Sequence, residues 1–188
     1  MATPYVFSGG EALAFEVVET KTVFKGRSFD VRVDQLRLPD GQLHKLDIID
    51  HRDAVTMLPV DENGFIWFIR QYRHPAGREL LELPAGMLEG DEAPQVGALR
   101  EIREEIGMSA GSLRKIGGFF LAPGYSTEYM HIFLATQLHS DPLPGDVDEF
   151  LSVEKIPISQ AFELAQSGQI QDAKSLTALF LAQPYFGK

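Results

Sequence analysis

Cysteine is absent from the 188-residue chain, so no disulfide contributes to its fold. That absence fits a reducing compartment, and the expectation is a cytoplasmic protein. Basic residues are scarce: 17 Lys and Arg stand against 27 Asp and Glu, for a formal charge of −10. A surface of that sign repels phosphate backbones and anionic lipids, which argues against a general nucleic-acid or membrane-surface binder. Long apolar runs are missing too. Nothing approaches the ~18 consecutive apolar residues that read as a spanning helix. The opening MATPYVFSGGEALAF lacks a basic stretch followed by an apolar core, so it does not read as a secretory signal. Repeats, low-complexity tracts, a P-loop and a G-x-S-x-G elbow are also lacking. His44, His51, His74, His131 and His139 show no metal-ligand spacing and read as surface or core residues.

What is present suits one domain with a core, plus a small annex. Residues 1–14 carry little pattern. From Phe15 to Asp50 the chain reads as strands, with Phe29, Val31 and Val33 alternating with Asp30, Arg32 and Asp34. Pro39-Asp40-Gly41-Gln42 reads as the turn into a further strand, Leu43–Ile49. The expected organisation is an antiparallel annex over 1–50, too thin to be stable alone, and a main domain over 51–188. In that domain Ala54–Val60 and Phe65–Gln71 flank Asn63-Gly64, a strong hairpin signal. Later strands are expected at Leu113–Leu121, Tyr129–Leu138 and Phe150–Ile156. Helices are expected at Ile158–Gln166 and at Ser175–Ala182, the last stopped by Pro184. Arg70 and Arg73 read equally well as a solvated strand end or as a phosphate clamp, since a guanidinium fork matches phosphate oxygens. Asp146, Asp148 and Glu149 sit in a Pro/Gly-rich loop whose acidity alone implies only solvation.

The stretch from Leu81 to Met108, LELPAGMLEGDEAPQVGALREIREEIGM, carries the chemistry. Pro94 suits a first helical turn and Gly107 a helix stop. At about 100° per residue, Glu101, Glu104 and Glu105 share one arc, while Val96, Leu99, Ile102 and Ile106 form an opposite, apolar stripe. Arg100 is placed to pair with Glu104 one turn on. Alone, such a face is usually just solvated. Alternatively it is a site for a hard divalent cation, because Mg2+ prefers carboxylate oxygens and water.

The surrounding residues decide between these. The segment resembles the Nudix box, G-x5-E-x7-R-E-U-x-E-E-x-G-U, with Gly86, Glu92, Arg100, Glu101, Ile102, Glu104, Glu105, Gly107 and Met108 at every fixed position. More of the chain resembles the branch of ADP-ribose pyrophosphatases and related nucleoside diphosphate sugar hydrolases. Arg70-Gln71-Tyr72-Arg73 and Glu82-Leu83-Pro84-Ala85-Gly86 look like that branch's approach to the box. Pro123 lies sixteen residues after Gly107. Pro144–Phe150 resembles its late acidic loop, and Asp172-Ala173-Lys174-Ser175 the start of its last helix. The resemblance spans roughly residues 50–182.

It implies an α/β fold, the Nudix α/β/α sandwich with a mixed sheet, and a β annex that swaps across a homodimer and helps build a nucleoside pocket. It implies hydrolysis of ADP-ribose to AMP and ribose 5-phosphate, with Mg2+ as cofactor and Mn2+ able to substitute. By the resemblance Glu101 and Glu105, with the backbone carbonyl of Ala85, are metal ligands, Glu82 is a weaker candidate, and Glu104 is a further ligand or the partner of Arg100. Glu104 and Arg100 count among the catalytic residues. Arg73, Glu82 and Glu128 serve substrate binding. Glu149 is the general base, with Asp146 and Asp148 as rivals. The expected partner is a small nucleoside diphosphate sugar, with no nucleic acid and no membrane. A GDP-hexose, ADP-glucose or a dinucleoside polyphosphate is the alternative substrate, and an inactive nucleotide-binding module the alternative class.

Overall fold

The structure, a computed structural model, describes residues 15–145 and 150–187. The chain divides into two compact units. One comprises described residues 15–51 with Gly124–Ser126, the other residues 52–123 and 127–187.

The first unit is an antiparallel sheet of β1 (Glu16–Lys25), β2 (Phe29–Arg37) and β3 (Leu43–His51), in that order. The turn after β2 forms as expected: the Asp40 carboxylate accepts from Gln42 N, and Gly41 N donates to the Leu38 carbonyl. Ile49 N donates to the Tyr125 carbonyl, which ties Gly124–Ser126 to this sheet. Asp34 is the one buried residue of the three strands, and β1 is exposed throughout, including Val17, Val18, Val23 and Phe24.

The second unit holds two sheets. β7 (Ala85–Met87), β4 (Ala54–Pro59), β9 (Tyr129–Ser140) and β8 (Met108–Phe120) form one, in the order 7-4-9-8, with β4 parallel to β9 and the other pairs antiparallel. β10 (Leu151–Pro157), β5 (Phe65–Arg73) and β6 (Arg78–Glu82) form an antiparallel second sheet, in the order 10-5-6. Three helices cover them: α1 (Pro94–Ile106), α2 (Ile158–Gln166) and α3 (Ala173–Phe186).

Strand periodicity sorts the core into two. Val55, Met57, Phe133 and Ala135 pack with Ala98, Ile102 and Ile106 of α1. Their neighbours Leu58, Ile132 and Leu134 point the other way and pack with Ala161 of α2 and Ala178, Leu179 and Ala182 of α3. Successive strand residues face opposite sides, so a strand apolar at consecutive positions must be covered on both faces. The α/β/α layering of this unit follows from that.

Four local expectations are corrected. Asn63-Gly64 does turn the chain, with Gly64 at φ 79 and the Asp61 carboxylate accepting from Asn63 N and Phe65 N. The strands it joins do not form a ladder, however. β4 and β5 enter different sheets, and the one bridge near the turn, Val60↔Ile66, lies just past the end of β4. Both strands bury both faces, and each finds longer partners elsewhere. In α1, Val96 is 57% exposed, and the buried arc holds Ala98, Glu101, Ile102, Glu105 and Ile106. The helix is rolled toward β7, so two box glutamates are buried at its edge. β8 begins at Met108, directly after the αL residue Gly107. Finally, α3 runs through Pro184 to Phe186. Proline near a helix end costs one bond from a turn that is already fraying.

Candidate active site

The site is built where α1 crosses β7. Thr56 Oγ1 donates to the Pro84 carbonyl at 3.0 Å, and Met57 N donates to the same oxygen, also at 3.0 Å. These bonds pin the chain just before β7. Ala85 N then donates to Glu105 Oε2 at 2.8 Å. One residue on, Gly86 lies so close to Glu101 that a Cβ there would fall 2.0 Å from its carboxyl carbon. Any side chain at 86 would displace Glu101, which is the physical reason for glycine at this box position.

Arg100 organises the outer rim. Its Nε and Nη2 donate to the two oxygens of Glu92 at 3.1 and 2.9 Å. Nη1 donates to Glu101 Oε1 at 2.7 Å and to Glu104 Oε2 at 2.9 Å, and Nη2 also reaches the Met87 carbonyl at 3.0 Å. The hydrogen bond to Glu92 above all, with the charge and hydrogen bond of Glu101 and the hydrogen bond to Glu104, outweighs burial and raises the Arg100 pKa above its ordinary value. The same bond lowers the Glu92 pKa. The pairing with Glu104 is as expected, and those with Glu92 and Glu101 are additional. The three box glutamates do not gather as one cluster. Arg100 draws Glu101 and Glu104, the Ala85 amide takes Glu105, and no set of three metal-ligating side chains is found among the described residues.

The donors nonetheless suit a hard cation in kind. Two nearly buried carboxylates, Glu101 and Glu105, flank a backbone whose Cβ-free position leaves room for an oxygen-rich contact. Around Arg100, three carboxylates face one guanidinium, and the surplus negative charge is what a divalent ion would neutralise.

A second network starts at the end of β5. Arg73 Nε and Nη2 donate to Glu82, the latter to Oε2 at 2.7 Å. Lys174 Nζ donates to that same oxygen and, at 3.0 Å, to Asp172 Oδ1. Asp172 caps α3 by accepting from Ser175 N at 2.9 Å, and Ser175 Oγ accepts from Leu83 N at 2.7 Å. Burial would raise the Glu82 pKa, but the hydrogen bond from Arg73 and the Lys174 charge outweigh it and hold the carboxyl below its ordinary value. Lys174, Asp172 and Ser175 received no role from the sequence. The run only resembles a helix start, and no local pattern marks Lys174 and Ser175 as partners of residues 92 positions away.

Glu128 lies at the β8–β9 connection, where its carbonyl accepts from Leu121 N. Glu149, Asp146 and Asp148 fall outside the described residues.

Comparison with known proteins defines the class. The model of the NUDIX domain matches residues 50–179. The ADP-ribose pyrophosphatase of Bacillus subtilis (strain 168) is 36% identical over 171 residues, 90% of this chain and 92% of that protein. The GDP-mannose pyrophosphatase of Enterobacter sp. (strain 638) is 35% identical over 147 residues, 72% and 76% of the two chains. The crystal structure of an ADP compounds hydrolase superposes with a TM-score of 0.84 at 25% identity, over 94% of this chain and 97% of that one. The chain belongs to the Nudix family and is a Nudix pyrophosphohydrolase. Nudix hydrolases generally use divalent metal ions. No helix among the described residues is long and apolar enough to cross a membrane.

Proposed function

We propose that this protein hydrolyses the diphosphate bond of ADP-ribose, taking up one water to give AMP and ribose 5-phosphate. The similarity to the Bacillus subtilis ADP-ribose pyrophosphatase, 36% identity over 92% of that protein, carries this reading. The cation is Mg2+, held by Glu101, Glu105 and the Ala85 carbonyl, with Glu104 as a further ligand or the partner of Arg100. Bound there, a divalent cation supplies neutralisation of the diphosphate oxygens and a water of lowered pKa.

The chain's own residues do the rest. Arg100 holds Glu92, Glu101 and Glu104 by hydrogen bonds and ties them to the Met87 carbonyl at the end of β7. Arg73 binds a phosphate through the edge of its guanidinium that Glu82 does not take, and Glu128 contributes to substrate binding. Glu149 accepts the proton of the attacking water, because carboxylates engaged by a cation are poor proton acceptors. Changing Glu149→Gln should lower turnover by about 10²–10⁴-fold, the range for a lost general base. If Asp146→Asn or Asp148→Asn does so instead, the base is that residue.

Residues 1–50 serve as a dimerisation annex that completes the nucleoside pocket. The exposed apolar residues of β1 support a homodimer, and a monomer by light scattering at micromolar concentration would refute it.

A panel of nucleoside diphosphate sugars with product identification tests the reading. Release of AMP and ribose 5-phosphate with Mg2+, and none in excess chelator, is expected. Preference for a GDP-hexose would favour the second reading, which the likeness to the Enterobacter GDP-mannose pyrophosphatase supports.

A further inference from the structure

The α3 start resembles a family element, but nothing in the mechanism above uses it. We infer that Lys174 is a positioning residue that sets the phosphate affinity of Arg73 by sharing Glu82 with it. This rests on the reading of Arg73 as a phosphate ligand.

Glu82 is 2% exposed and Lys174 9%, so their charges meet in a nearly dry setting, where each must be balanced locally. Arg73 reaches out of it, with 39% of its side chain exposed. Its bonds to Glu82 use Nε and Nη2 and none uses Nη1. If Glu82 had Arg73 as its sole cation, the pair would be closed and neutral, with little field left for a diphosphate. Lys174 prevents this by taking part of the charge on Glu82 Oε2, the oxygen that Arg73 Nη2 also contacts. Asp172 keeps Lys174 in place by accepting its second bond and is fixed in turn as the cap of α3. Charges therefore alternate from Asp172 through Lys174 and Glu82 to Arg73, and the outermost member is a cation with an unspent edge.

Binding of ADP-ribose by calorimetry in chelator, where no turnover occurs, reads this directly. Steady-state kinetics with Mg2+ supplies the split between KM and kcat. For Lys174→Met we expect Kd and KM to rise about tenfold while kcat stays within about threefold, the pattern of lost uniform binding. Adding Glu82→Gln to Lys174→Met removes the anion that closes on Arg73 and should recover most of that loss. A role confined to folding would not be rescued in this way. Unchanged Kd in folded Lys174→Met, or no recovery in the double variant, overturns the inference. If Lys174→Met fails to fold, the double variant decides, since Glu82→Gln removes the buried anion that Lys174 had balanced while Asp172 keeps its bond from Ser175 N: Kd within about threefold of wild type supports the inference, and tenfold weaker binding overturns it. Failure of the underlying reading looks different, because Arg73→Ala would then leave Kd unchanged.

Discussion

Two ion networks in the same unit combine cations and carboxylates in different proportions. At the box, one guanidinium, Arg100, faces Glu92, Glu101 and Glu104. Behind β6, Arg73, Glu82, Lys174 and Asp172 alternate in sign, one anion for each cation. The first has negative charge left over and lies partly open; the second is balanced and deep. Surplus charge near solvent is a binding capacity, and balanced charge in the interior is architecture. Arg73 belongs to both descriptions, since it is anchored inside and half exposed outside.

The contrast can be broken most decisively at Glu82. Glu82→Ala leaves the buried Lys174 and the half-exposed Arg73 without the anion they share and should cost about 3–5 kcal/mol of stability, the usual penalty for removing one partner of a buried ion pair. Glu104→Ala, at the open rim, should cost less than about 1 kcal/mol. Chemical denaturation of both variants checks this, and equal losses would erase the distinction between the networks.

The next effect falls on turnover. Glu105 is buried and bonded to the Ala85 amide, rather than on a bare face opposite the core. A glutamine there can still accept that bond, so Glu105→Gln should fold while losing an anionic ligand. A fall in kcat of about 100-fold, roughly 2.7 kcal/mol of barrier, is expected in Mg2+ assays. Wild-type turnover in a folded variant would contradict the metal role.

Smallest is the acid dependence of stability. Glu92 has its pKa lowered in the fold from 4.5 by the Arg100 hydrogen bond. A lowered folded value means its contribution is fully present above about pH 4.5 and is lost as pH falls below that, through the folded pKa. Melting temperatures from pH 6 to pH 3, the range in which such carboxylates titrate, should decline less steeply for Glu92→Gln than for wild type. Parallel curves would show that the rim pairing adds nothing to stability.

Much of the site was readable in advance because helical chemistry is local. Pro94, the REIREE run and Gly107 fix α1 and its glutamates within one stretch, and the structure closes the helix at Gly107 with φ 68. What escaped was set by tertiary neighbours. Val96 and Ala98 are both apolar, and only the tilt of α1 on the sheet decides which is buried. β7, just three residues long, carries too little pattern to be seen without the β4 edge it pairs with. Asn63-Gly64 announces a turn but cannot say whether the strands beyond it stay together. Lys174 looks like any helix-start lysine until the fold brings Glu82 to it.

The bonds from Lys174 to Glu82 and from Ser175 to Leu83 each join residues 92 apart in the chain. During synthesis, at about 5–20 residues per second, the box emerges from the ribosome several seconds before its support does. Through that interval Arg73 and Glu82 have no third partner, and the strand ahead of the box lacks its Ser175 anchor. A nascent chain halted before residue 172 would carry every box residue and still hold no finished site, so catalytic competence should arrive late and all at once.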